Sequence, residues 1–152
     1  MLFRSFQPLW PWLAARREPL TQALGSHLIL FGEWCFAAHS IHYDALPDWF
    51  LAFDVYDRRA GRFWSSRRRD ELVTALGLSR VPELARGRFH LDDLPKFFGP
   101  SRLTDAPLEG LYVRRDEGDF LLARAKLVRP GFIQAIEEHW SSRPLNRNTC
   151  VP

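Results

Sequence analysis

The chain has 152 residues, of which 46% are hydrophobic and 26% charged, with a formal net charge of +3. That is the length of one domain with a real core, and the balance excludes a disordered or fibrous chain. Two cysteines, Cys35 and Cys150, exclude a disulfide framework and point to a reducing cytoplasm, and no apolar run reaches the ~20 residues a bilayer demands.

The basic side is almost all arginine, since Lys96 and Lys126 are the only lysines. Guanidinium groups grip phosphate bidentately and stack on bases, which suits a nucleic-acid partner; codon usage in a GC-rich genome would give the same bias. Fourteen per cent aromatic content allows for base stacking beside a Phe-rich core. The start, MLFRSFQPLWPWLAARR, is broken by Pro8 and Pro11 and is no signal peptide.

From Phe6 to Leu24, Leu9, Leu13, Leu20 and Leu24 recur at helical spacing, and one or two short helices interrupted near Pro19 are expected. His27–Cys35 reads as a buried strand after Gly25-Ser26, and Trp49–Asp57 as a second. The turn Arg58–Gly61 folds the latter back into Arg62–Ser65 as an antiparallel hairpin. A helix from Ser66 to Leu76 follows, with a serine cap and Gly77 as its stop. Val81–Leu84 reads as a short strand, and Leu91–Phe98 as a short helix with Asp92 and Asp93 in its first turn. Leu108–Arg115 and Asp119–Val128 form a second hairpin around Asp116-Glu-Gly118. A last helix covers about Phe132–Trp140, and the polar tail 143–152 is expected to be loose. The expectation is a single α+β domain over residues 1–152, antiparallel hairpins with helices between them.

Several residues in this frame carry chemistry. Leu30-Phe-Gly-Glu-Trp34, continuing to His39-Ser-Ile-His-Tyr43, ends an apolar strand in a carboxylate, Glu33, at what would be a pocket mouth. Phe50-Leu-Ala-Phe-Asp-Val-Tyr56 offers an aromatic for stacking, Leu108-Glu-Gly-Leu-Tyr-Val-Arg114 a carboxylate beside a glycine that lets backbone come close, and Ala123-Arg-Ala-Lys-Leu-Val-Arg129 two cations on one strand face. In this order the blocks resemble motifs III, IIIa, IV and V of the ATP-dependent RNA ligases, over about Phe6 to Trp140.

The resemblance implies a partial nucleotidyltransferase fold, the ATP-grasp-like adenylation domain of a ligase. It implies ATP and Mg²⁺ (or Mn²⁺) as cofactors, and RNA ends as partners, a nicked duplex among them, with no membrane involved. On it Glu33 contacts the ribose, Phe53 stacks on adenine, Glu109 serves the metal, and Arg124 and Lys126 hold the α-phosphate. Relatives often carry lysine at both of the last two positions, so Arg124 is a departure. Each residue alone also has a plain structural reading, as a strand-end glutamate or a core phenylalanine.

Two further groups are candidates. His39 could touch phosphate or hydrogen-bond within the pocket, and Arg67, Arg68 and Arg69 form the densest basic run, either phosphate contacts or a solvated helix start. Positive charge is out of place at a helix N-terminus, and a bound phosphate would relieve it. Cys35, His39 and His42 lack the fourth ligand of a structural zinc site.

The family works through a lysine in a Lys-x-Asp-Gly motif upstream of motif III, and no lysine precedes Leu30 here. Lys96 lies downstream before Phe-Phe-Gly, and Lys126 belongs to the motif V likeness. The chain by itself is therefore not expected to adenylylate itself. A truncated N-terminus, a split enzyme completed by a missing segment or partner chain, and a degenerate non-catalytic binding module all account for this, the first being preferred.

Overall fold

The computed structural model describes residues 5–38, 41–129 and 146–151. Helix α1 spans Leu9–Leu24, followed by strands β1 (Leu28–Trp34), β2 (Phe50–Asp57) and β3 (Arg62–Phe63). Helix α2 (Ser66–Ala75), strand β4 (Ser79–Arg80), a 3-10 helix (Leu91–Phe97), and strands β5 (Gly110–Glu117) and β6 (Phe120–Val128) complete the order. The architecture is α+β, as expected. Among the described residues no helix is long and apolar enough to cross a membrane.

β2 is the centre of the first sheet. β1 runs antiparallel along one edge, from Leu28↔Asp57 to Trp34↔Phe50. The other edge is shared: β3 pairs at Tyr56 and Asp57, and β4 pairs in parallel at Leu51 and Ala52. A bulge between Phe31 and Gly32 leaves Phe53 unpaired on β2 and re-aims the residues after it. β5 and β6 form a separate hairpin. It is tied to the first sheet by the Trp64↔Phe120 bridge and by the Ser65 N–H, which donates to the Asp119 carbonyl at 2.8 Å.

Alternation on β1 and β2 divides the first sheet into two faces. Leu28, Leu30 and Val55 pack with Leu24, Leu72 and Trp64, while Ala52 meets Trp12, Leu20, Val73 and Leu78. Both helices therefore lie on one face, and the other is shared by the second hairpin, by solvent and, at its Leu51 end, by a second core cluster with Cys35, Leu46, Tyr43 and Leu103. Gly32 is required where β1 presses on the aromatic beside it. A Cβ there would lie 2.1 Å from the Phe50 ring and 2.9 Å from the Leu51 carbonyl oxygen.

Four expectations are corrected. Pro19 does not break the first helix, which runs through it. Ala15, whose carbonyl loses its partner, and Pro19 both lie on the exposed side, where water replaces the missing bond. The strand expected at Val81–Leu84 is instead Ser79–Arg80: Leu78 is already buried, Val81 makes the last bond to Ala52, and Pro82 has no N–H to continue. The turn of the second hairpin is Gly118-Asp119, with Glu117 paired to Phe120 and Gly118 at a φ of 57°.

The fourth correction concerns the tail, which over residues 146–151 is held down. The Asn148 side chain donates to the carbonyls of Cys35 (2.8 Å) and Ala37 (3.3 Å) and accepts from the Tyr43 N–H (2.8 Å). Backbone bonds add Thr149 to Tyr43, and Leu46 to Thr149. Buried polar groups need partners, and the loop after β1 finds them here. The expected Phe132–Trp140 helix lies outside the described residues.

Replacing Gly32 by Ala is expected to destabilise the fold by about 1–3 kcal/mol through overpacking against Phe50, read as a lower denaturant midpoint with unchanged slope.

Candidate functional site

The open face of the first sheet and one face of the β5–β6 hairpin meet over Asp54, whose surface is 1% exposed. A carboxylate this deep stays ionised only with cations and donors around it. Arg114 forms an ion pair with Oδ1, Arg124 donates to Oδ2 at 3.0 Å, and the Tyr112 hydroxyl donates to Oδ2 at 2.9 Å. Tyr112 and Arg114 alternate along β5 and Arg124 and Lys126 along β6, with Arg114 paired across to Arg124 and Tyr112 to Lys126. The four side chains thus share one face of the hairpin.

The two arginines differ. Arg114 is structural: it also donates to the carbonyls of Trp64 (2.7 Å) and Phe53 (3.3 Å) and lies 3.7 Å from Asp116. Burial lowers its pKa from the ordinary arginine value, Asp116 opposes that, and neighbouring Arg124 adds to it. Its Nε is buried and has no hydrogen-bond partner. Arg124 is 45% exposed, with its guanidinium 4.3 Å from the centre of the Phe63 ring, and can meet a ligand without leaving its place over Asp54.

The second group lies where β1 ends. Cys35 is buried and its thiol pKa is pushed up to about 12, first by burial, then by repulsion from Glu33, Cys150 and Glu109. Tyr43 is pushed up by burial, then by Glu109 and Glu33. Both expected site carboxylates therefore act on the same two groups, buried Cys35 and partly buried Tyr43. Gly110, next to Glu109, lies against β6, where a Cβ would sit 2.7 Å from the Leu127 carbonyl oxygen. Among the described residues no cluster of three His, Cys, Asp or Glu side chains could hold a metal ion without other ligands.

Of the expected site residues, Arg124 joins Asp54, Lys126 lies exposed on the same face, and Phe53 sits half-buried at the bulge beside Asp54. Glu33 and Glu109 share the Cys35–Tyr43 neighbourhood, and His39 lies outside the described residues. The arginine run does not form a common grip. Arg67 pairs with Glu71 and Asp119, Arg68 lies over the Trp64 ring at 3.8 Å, and Arg69 is buried against Asp70 and the Phe53 carbonyl. The anion expected at the start of α2 is the protein's own: Asp116 accepts from the Ser66 N–H at 2.6 Å.

Reading the sequence missed Asp54, Tyr112 and Arg114. One signal was available, a lone aspartate in mid-strand among apolar residues in Phe-Leu-Ala-Phe-Asp-Val-Tyr, which had to find a cation once buried.

A family model for RNA ligase matches residues 2–128, and the chain belongs to the RNA ligase family. Searches of curated proteins and of solved structures returned no match. The α+β arrangement is consistent with part of a nucleotidyltransferase fold.

Removing the hub by Asp54→Ala is expected to cost about 3–5 kcal/mol, because two cations lose their buried partner; Arg124→Gln, at the exposed edge, should cost about 1 kcal/mol or less. Chemical denaturation of both variants measures the difference. A second outcome concerns alkaline pH. The folded state holds Cys35 and Tyr43 neutral, with pKa values above the unfolded ones. That stability is complete below about pH 9 and is lost as pH rises toward 12. The melting temperature should fall across that window, and less steeply in Tyr43→Phe.

Proposed function

We propose that this chain is the nucleotide-binding part of an RNA ligase and lacks the lysine that opens the reaction. The observation that carries this reading is the half-exposed Arg124 guanidinium fixed over buried Asp54, with Lys126 two residues on along the same strand face. Arg124 presents positive charge of fixed geometry and Lys126 adds a second cation beside it, which is what a phosphate undergoing substitution requires.

In this reading Arg124 and Lys126 bind the α-phosphate of ATP, Glu33 accepts from the ribose hydroxyls, and Phe53 stacks on the adenine. A divalent ion fits the donor set in a limited sense. Without a three-ligand cluster among the described residues it needs phosphate oxygens and water, which is how Mg²⁺ usually binds beside one or two carboxylates. Glu109 would hold it, and the ion would offset negative charge on the phosphates.

The reaction of the family begins when a lysine amine attacks the α-phosphorus and pyrophosphate leaves. AMP then passes to an RNA 5′-phosphate, and attack by a 3′-hydroxyl seals the strand and releases AMP. Neither lysine of this chain suits the first step. Lys96 is exposed and paired with Asp93 at 2.6 Å, and Lys126 is kept for the phosphate. The nucleophile comes from elsewhere or not at all; in the latter case the chain is a nucleotide- or nucleic-acid-binding module. Lys126 as a cation and not a nucleophile is the assignment on which these readings agree.

Incubation with α-labelled ATP and Mg²⁺ or Mn²⁺, followed by a denaturing gel, should give no labelled band. Calorimetric titration should still detect ATP, weakened about ten-fold in Glu33→Gln and in Arg124→Gln. A labelled band lost in Lys96→Ala or Lys126→Ala would overturn this reading.

A further inference from the structure

Beyond the Arg124–Asp54 contact the open face of the first sheet continues as an aromatic surface. Ile29, Tyr56 and Phe63 pair across β1, β2 and β3 and so form one row on one face, and Phe31, opposite Asp54, begins the next. The Phe31 and Phe63 rings are 5.8 Å apart, and those of Tyr56 and Phe63 4.9 Å. Although it lies inside a sheet, this face is not sealed: Ile29 is 38% exposed and Phe31 37%.

The surface ends at the β2–β3 turn, where Arg58 and Arg59 are exposed; Arg62, paired with Asp57, takes the opposite face with its guanidinium 4.5 Å from the centre of the Phe120 ring. Among the described residues neither Arg58 nor Arg59 pairs with a carboxylate. The two aspartates of this hairpin are turned inward. Asp54 is held by its arginines, and Asp57, 8% exposed, accepts from the backbone of Arg59 (2.9 Å) and Ala60 (3.2 Å) and from the Trp64 indole. The turn is therefore shaped by a buried carboxylate and presents only cations. Aromatic rings with edges open to solvent, beside unpaired guanidinium groups, match a single strand of nucleic acid: stacked bases on one side, phosphates on the other.

We propose that this face is the track along which a single RNA strand leaves the nucleotide site, bases against Phe31, Tyr56 and Phe63 and phosphates toward Arg58 and Arg59. The proposal rests on the reading of Glu33 and Arg124 as the nucleotide end. From Glu33 to Ile29 the strand covers four residues, about 13 Å at ~3.3 Å each, room for roughly three to four stacked bases. Arg124 touches both regions, Asp54 on one side and the Phe63 ring on the other, and marks where they join.

Fluorescence anisotropy tests this with a fluorescein-labelled single-stranded oligoribonucleotide of about twelve nucleotides, at several salt concentrations. The variant Arg58→Gln/Arg59→Gln should bind several-fold more weakly, with a log–log salt slope shallower by about 1.4, as expected for two lost phosphate contacts on a single strand. Phe31→Leu should weaken binding several-fold and leave the salt slope unchanged. Both should bind ATP like the parent chain, and if Phe31→Leu fails to fold, the exposed arginine variant decides. Unchanged RNA affinity and slope in the arginine variant would overturn the track. So would a parent chain that binds ATP but no RNA, and this result would leave the nucleotide site standing. A parent chain that binds no ATP would overturn both. Self-association relieved by Phe31→Leu, without RNA binding, would assign the face to a second copy and overturn the track.

Discussion

An ionised carboxylate removed from water imposes conditions on everything near it. Asp54 needs Arg114, Arg124 and Tyr112 at its two oxygens, and these come from a hairpin some sixty residues further along the chain. The two sheets thus owe their relative placement to electrostatics as much as to apolar contact. The apolar link between them is narrow, Trp64 and Phe120 with their bridge, and Arg114 reinforces it by donating to the Trp64 carbonyl. Breaking one partner of such a cluster is far more damaging than never having built it, because the remaining charges stay buried.

The charge layout follows from this arrangement. Around Cys35 and Tyr43 the field is negative, from Glu33 and Glu109, and around Asp54 it is balanced, with Arg124 partly open to water. Further along, at the β2–β3 turn, it is positive. Each zone lies at a different position along β1 and β2, so one pair of strands orders them in space. A bulge at Phe53 turns Asp54 to the open face while Ala52 and Val55 stay on the helix side, and without that extra residue the alternation would send one of them the wrong way.

Much of this was legible in the residues. β1, β2 and the second hairpin are runs of apolar and β-branched residues bounded by glycine and aspartate, and α2 carries its own cap and stop in Ser65 and Gly77. What sequence reading misplaced depends on partners far away in the chain. Arg67–Arg69 read equally as phosphate contacts or as a solvated helix start because Asp116 and Asp119, which meet that helix start, come some fifty residues later. β4 was shifted by two residues because its register is set by β2 and not by its own pattern. Asp54 stood in plain sight within the stacking motif, but its role became visible only when the hairpin supplied its cations. The roles of Glu33, Phe53 and Glu109 came from family resemblance; periodicity alone would have left them as ordinary strand residues.

Asn148 has a consequence for the order of events during synthesis. It satisfies the carbonyls of Cys35 and Ala37 and the Tyr43 N–H, groups made more than a hundred residues before it. At ~5–20 residues per second on the ribosome, the loop after β1 waits about 5–20 s for the side chain that organises it. During that interval the Cys35 and Ala37 carbonyls and the Tyr43 N–H are left to water, and the closure that ends the wait is among the longest-range contacts of the described residues, with the entropic cost that long loops carry. The neighbourhood of Glu33 and Glu109 is thus assembled late, after the sheet that supports it.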